Sequence, residues 1–116
     1  MKLLLILSHP PYDGTDVAWN ALRYGKVALE AGHQLRLFLL NQAVDIARLA
    51  AAPEQAEFNL AEMLKELIQR GAEAKLCTTC LTRCGIGQGQ TIPEAPFGKM
   101  TDLVAWTDWA DKAVTF

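Results

Sequence analysis

Residues 3–40, LLLILSHPPYDGTDVAWNALRYGKVALEAGHQLRLFLL, decide the fold. Leu3 to Leu7 is an unbroken apolar run, closed by Pro10 and Pro11. A run without alternation marks a strand buried on both faces. Pro10, Pro11 and Gly14 then make a loop. Thr15 or Asp16 is placed to cap a helix that runs to about Ala31, with Val17, Ala21, Leu22, Ala28 and Leu29 on its apolar stripe. Gly32 falls at the position where a helix ends in a left-handed turn. Leu35 to Leu40 reads as a second buried strand. Strand, helix and strand joined by short connections form a βαβ unit, whose crossover is right-handed.

The rest of the chain repeats this alternation. Asn41 to Ala52 reads as a loop with an irregular helical turn, broken by Pro53. Asn59 followed three residues on by Glu62 resembles a capping box. The helix it opens runs to Arg70, and Gly71 ends it. Ala74 to Cys77 is a short third strand. Thr78 to Arg83 is a helical turn, stopped by Gly85 and Gly87. Residues 85–96 are rich in glycine, proline and polar side chains, the composition of a mobile loop. Thr101 or Asp102 starts a last helix through about Trp109, and Ala113 to Phe116 makes a final strand. This order predicts one α/β domain over residues 1–116. The expected architecture is a three-layer α/β/α sandwich around a mostly parallel sheet of about five strands.

Composition narrows the function. With 51% hydrophobic residues in 116, the chain can bury a core without disulfides. Eleven Lys plus Arg against thirteen Asp plus Glu leave a net charge of −2, and the basic residues form no run, which argues against a nucleic-acid partner. The apolar start is too short for a signal peptide, and no stretch approaches the ~20 apolar residues of a membrane helix. No Gly-x-Gly-x-x-Gly or Gly-Lys-Ser/Thr is present, so no nucleotide cofactor is expected. The three cysteines all lie between positions 77 and 84. An odd, clustered set fits a reducing cytoplasm and thiols kept for chemistry.

The cluster is Leu76-Cys77-Thr78-Thr79-Cys80-Leu81-Thr82-Arg83-Cys84-Gly85. Cys77 stands where a strand ends and a helical turn begins, and the carboxyl ends of strands in open α/β sheets border the active crevice. A thiol at a helix start meets unpaired N–H groups and the positive end of the dipole, which favour the nucleophilic thiolate. Arg83 adds positive charge if the turn folds back. Cys80 and Cys84 follow at three and seven residues, so one helical stripe carries all three sulfurs. Three chemistries fit this pattern. Cys77 accepts sulfane sulfur as a persulfide and passes it on. Cys77 and Cys80 form a redox dithiol. Or Cys77, Cys80 and Cys84 ligate a metal or iron–sulfur cluster, with His9 as a further ligand. The plainer alternative is that Cys80 and Cys84 are inert small residues on the inner face of the turn.

Along nearly its whole length the sequence resembles the DsrE/DsrF-like sulfur-relay family, with its TusD-like members and YchN-like fold. The likeness runs through the Ser8–Gly14 loop, Leu29-Glu30-Ala31-Gly32-His33, the second strand and the Asn41–Ala52 segment. It is sharpest at Leu76-Cys77 and the short helix leading to Arg83-Cys84-Gly85, and it returns at Trp109 to Phe116. The resemblance implies an α/β/α domain assembled into homotrimers or homohexamers. It further implies one essential cysteine, here Cys77, that carries persulfide sulfur between a donor and an acceptor protein. The chain departs from the pattern twice. Cys84 replaces a customary arginine, and Cys80 stands where small apolar residues are common. These extra thiols are candidate accessory groups.

Other residues admit two readings each. His9 and Tyr12 lie on the same sheet edge as Cys77. His9 either assists proton transfer, since imidazole titrates near neutrality, or is a solvated loop residue. Ser8, Asp13 and Gly14 could form an anion-binding turn. Asp45 and Glu57 show no carboxylate partner. Met63, Leu64, Leu67 and Ile68 recur at helical spacing and belong to the core. Trp106 and Trp109, and Trp19 on the first helix, serve either the core or a subunit contact. A carrier that serves another protein's cysteine is expected to present a shallow, exposed pocket.

Overall fold

The computed structural model describes residues 1–116. Five parallel strands form one sheet: β1 (Lys2–Leu7), β2 (Gln34–Leu39), β3 (Glu73–Cys77), β4 (Phe97–Gly98) and β5 (Lys112–Thr115), in the order β4-β3-β2-β1-β5. Four helices connect them: α1 (Val17–Glu30), α2 (Leu60–Gln69), α3 (Thr78–Arg83) and α4 (Met100–Trp109). A 3₁₀ helix, Asn41–Ala47, occupies the segment expected to turn irregularly.

The topology follows from handedness. Steps from β1 to β2, β3 and β4 all move one way across the sheet, so right-handed crossovers put α1, α2 and α3 on one face. The return from β4 to β5 reverses direction, so α4 alone crosses the opposite face. Strand alternation matches this division. Leu3, Leu5 and Leu7 pair in register with Leu35, Leu37 and Leu39 and face α1 and α2. All six are buried. The other face carries Leu4, Ile6, Arg36 and Phe38, and there Trp106 of α4 meets Phe38 edge-on at 6.1 Å and 90°. Arg36 and Glu73, directly opposite in register, form an ion pair at 2.7 Å, and Lys75 reaches Asp102 of α4 at 3.0 Å.

Helix ends follow the sequence signals in most places. Asn59 caps α2 by accepting the Glu62 N–H at 3.2 Å. The last helix departs from expectation. It starts at Met100, not at Thr101 or Asp102, because Asp102 is its third residue. Its carboxylate reaches back to accept the Lys99 N–H at 2.8 Å, the acidic half of a capping box. Residues 85–96 also depart from the mobile loop expected. Ile86, Thr91, Ile92 and Ala95 are buried, Arg48 and Thr91 form an antiparallel bridge, and the Ile92 N–H donates to Ala47 O at 2.9 Å. These contacts tie the loop to the 3₁₀ segment and lead it into β4, a two-residue strand that sequence patterning passes over. Gly98 in β4 is tightly packed: a Cβ there would stand 3.0 Å from Lys75 Cδ and 3.1 Å from Lys75 Cβ, so the Lys75 side chain would have to shift by a few tenths of an ångström.

Candidate functional site

The site lies at the carboxyl edge of the sheet. The register aligns Leu7, Leu39 and Leu76, and then Cys77 with Gly98. The residues that follow, Ser8 after β1 and Asn41 after β2, therefore arrive beside Cys77 on adjacent strand ends. Parallel strands explain why residues so distant in sequence converge here.

Cys77 closes β3 and is the N-cap of α3. Its Sγ accepts the N–H of Cys80 at 3.3 Å, the contact an N-cap oxygen ordinarily makes at this position. Cys80 is half-buried, and its Sγ accepts the backbone N–H of Asn41 at 3.1 Å. Asn41 adopts φ +52°, a left-handed conformation that asparagine tolerates better than most residues. Its side-chain Nδ2 donates to Ser8 Oγ at 3.0 Å, which holds the twisted backbone in place. Thr78 Oγ1 donates to Gly98 O at 3.0 Å and fastens the start of α3 to β4. Burial, then the neighbouring Cys77 side chain, pushes the Cys80 thiol above its ordinary 9.0, against the opposing effect of the Asn41 N–H.

The structure separates the candidate residues. Cys77 and Cys80 share the first turn of α3. Cys84 is its exposed C-cap, at the far end. Gly85 then ends the helix at φ +72°. The three-thiol ligand set considered above is not assembled within one chain, where no three of His, Cys, Asp and Glu come together. Arg83 is exposed in the last turn of α3, separated from Cys77 by the length of the helix. His9 follows Ser8 on the same edge, is exposed, and has no hydrogen bond to either sulfur. Tyr12 acts structurally: its hydroxyl accepts the Leu60 N–H at 2.9 Å and donates to Phe58 O at 3.2 Å, tying the loop after β1 to the start of α2. Asp13 fills the candidate anion turn itself, accepting from Thr15 N at 3.0 Å and Thr15 Oγ1 at 2.6 Å. These bonds from Thr15 hold the Asp13 carboxyl below its ordinary 3.8. Asp45 pairs with Arg48.

Two features were not foreseen. Cys77 is only 5% exposed, where an open pocket was expected. A cleft of about 440 Å³ lies elsewhere, between α1 and α2, and is lined by Trp19, Val27, Phe58 and Met63 among others. The second is Asn41. A residue after a strand gives no sequence signal for a left-handed backbone, and its amide meets sulfur only because β2 and β3 are neighbours.

Comparison with known proteins places this geometry. The model of the DsrE/DsrF-like family matches residues 1–116. An uncharacterized protein of Methanocaldococcus jannaschii is 34% identical over the full length of both chains. A sulfurtransferase TusD homolog of Pseudomonas aeruginosa is 34% identical over 74% of this chain and 66% of its own. The crystal structure of the YchN protein from Escherichia coli superposes with a TM-score of 0.85 at 32% identity, covering 100% of both chains. A match of the family model from end to end, with the five-stranded parallel sheet and Cys77 at its carboxyl edge, leads to one conclusion: this chain belongs to the DsrE/DsrF-like family.

Proposed function

We propose that the protein is a sulfur carrier in which Cys77 accepts sulfane sulfur and passes it to a thiol of a partner protein. The observation that carries the reading is the Cys77 sulfur at the strand end, accepting a backbone N–H from the first turn of α3. The likeness to a sulfurtransferase TusD homolog supports the same chemistry. In the loading step the Cys77 thiolate attacks the outer sulfur of a donor persulfide. A new S–S bond forms, the donor's own S–S bond breaks, and the donor leaves as a thiolate. In the delivery step the acceptor thiolate attacks the outer sulfur on Cys77 in the same way, and Cys77 is returned.

The burial of Cys77 suits a carrier. A persulfide adds a sulfur about 2 Å beyond Sγ. The transferable atom is thus displaced from the buried sulfur that holds it. Donor and acceptor are proteins that present a cysteine on an accessible segment, in the cytoplasm. Exposed Met100 (57%) and Val104 (64%) on α4 support self-association into trimers or hexamers. The test is native mass spectrometry before and after exposure to a persulfide donor. A single added sulfur mapped to Cys77 and absent in Cys77→Ser is expected. Undiminished loading of Cys77→Ser would sink the assignment.

A further inference from the structure

Cys80 is the one thiol placed to act on Cys77 from within the fold. The two residues occupy the N-cap and third position of one helical turn. By the rise and radius of a helix, Cα atoms three residues apart lie roughly 5 Å from each other, within the Cα separation that a disulfide spans. Helical side chains lean toward the N-terminus, which points Cys80 back at Cys77. The Cys80 N–H already meets Cys77 Sγ at 3.3 Å, so the sulfur of Cys77 lies over the first turn that carries Cys80. Cys84 caps the opposite end of α3 and shares none of these contacts.

Burial divides the two sulfurs of a Cys77 persulfide. The outer one is the atom a partner must reach, whereas the inner one, Cys77 Sγ, is enclosed by the fold and adjoined by Cys80. We propose that Cys80 is a resolving thiol that discharges an undelivered Cys77 persulfide as sulfide, closing a Cys77–Cys80 disulfide. This rests on the carrier reading above. Cys80 Sγ attacks Cys77 Sγ, the Sγ–Sγ bond forms, and the bond from Cys77 Sγ to the outer sulfur breaks. The outer sulfur leaves with the electron pair of that bond and takes the proton that Cys80 gives up. It is reduced to hydrogen sulfide while the two cysteines are oxidised together. A cellular dithiol reductant then returns both thiols by disulfide exchange.

The surroundings of Cys80 fit this role. The Asn41 N–H at 3.1 Å stabilises negative charge on the attacking sulfur. Its direction is set by the left-handed backbone and the Ser8 bond, so Asn41 is a positioning residue. Burial holds the Cys80 thiol above its ordinary value, which keeps its thiolate scarce near neutrality and slows the discharge.

The experiment loads the reduced full-length protein with glutathione persulfide, removes excess donor, and follows intact mass together with trapped sulfide. The wild type is expected to gain one sulfur on Cys77, then lose it as one equivalent of sulfide and end two hydrogens below its reduced mass, with Cys77 and Cys80 joined. Cys80→Ser and Cys80→Ala keep the sulfur on Cys77 and release sulfide only at the background set by Cys77→Ser. Cys84→Ser behaves as the wild type. Loading of Cys77 followed by equal sulfide release from wild type and both Cys80 variants overturns the resolving role and leaves the carrier standing. Failure of Cys77 to load in every form overturns both. A second measurement needs no variant: in a glutathione redox buffer the wild type forms the Cys77–Cys80 disulfide, and oxidation that joins Cys84 to Cys77 instead refutes the assignment.

Discussion

Replacing Trp106 by alanine is the sharpest test of how α4 holds the sheet. Trp106 is 7% exposed and lies against Phe38 in the edge-to-face geometry that aromatic pairs favour. Arg36 and Lys75 stand over its ring at 5.2 and 5.1 Å. Truncating a buried tryptophan costs about 3–5 kcal/mol through lost transfer energy and the cavity left behind. The two cation contacts add about 0.5 kcal/mol each, because both side chains also reach solvent. No second helix covers this face, so neighbours cannot close the gap, and a loss of about 5 kcal/mol is expected for Trp106→Ala. For a domain whose total stability is on the order of 5–15 kcal/mol, that is a large share. At roughly 4 °C per kcal/mol the melting point falls by about 20 °C. Trp109 is the internal control. It is half-buried, with Arg36 over it at 4.0 Å, and Trp109→Ala is expected to cost about 1 kcal/mol. Urea unfolding followed by circular dichroism measures both, at one protomer concentration so that any association contributes equally. A Trp106→Ala loss no larger than that of Trp109→Ala refutes the assignment of Trp106 to the core.

Three further outcomes are expected. Gly25 of α1 has Leu35 Cδ2 and Leu67 Cδ1 each 3.1 Å from where a Cβ would stand. These are terminal methyls that can rotate, and alanine gains about 1 kcal/mol of helix propensity over glycine, so Gly25→Ala changes stability by under about 1 kcal/mol. Gly25→Val drives further into both leucines and costs more than ~1 kcal/mol by the same urea assay. The Asp102 carboxyl lies below its ordinary 3.8, held chiefly by the Lys99 N–H and then by Lys75. Its stabilisation is therefore full above 3.8 and is lost as pH falls through the lower folded value. Asp102→Asn is destabilised at neutral pH, and its gap from the wild type closes in acid, as thermal melts across pH will show; a gap that widens in acid contradicts the sign. With iodoacetamide at pH 7.5, exposed Cys84 is modified before Cys80, and Cys80 labelling accelerates as pH rises above 9.0. Peptide mapping that finds Cys80 labelled first at neutral pH contradicts its environment.

The elements that sequence read well are those whose signal is local. The unbroken runs at 3–7 and 35–40 appear as β1 and β2, and Asn59 with Glu62 opens α2 where the capping pattern falls. Thr78 to Arg83 is α3 with the same ends. The misses depend on partners far along the chain. Phe97–Gly98 is a strand only because β3 offers a free edge to it. Residues 85–96 carry loop composition, yet Ile86 and Ile92 find burial against residues brought by other connections. At the site, Cys77 and Cys80 were legible because their spacing is one helical turn, whereas Ser8 and Asn41 join them only through strand order.

By itself, the sequence determined the α/β alternation, the βαβ opening and the place of Cys77 at a strand end, since each follows from periodicity and capping within a few residues. Tertiary structure alone decided which strands are neighbours, that α4 stands by itself on one face, and that Cys77 is buried while Cys84 is exposed. It also decided that an Asn41 amide meets the Cys80 sulfur. These outcomes depend on strand order and on packing between residues tens of positions apart, and no local pattern encodes either.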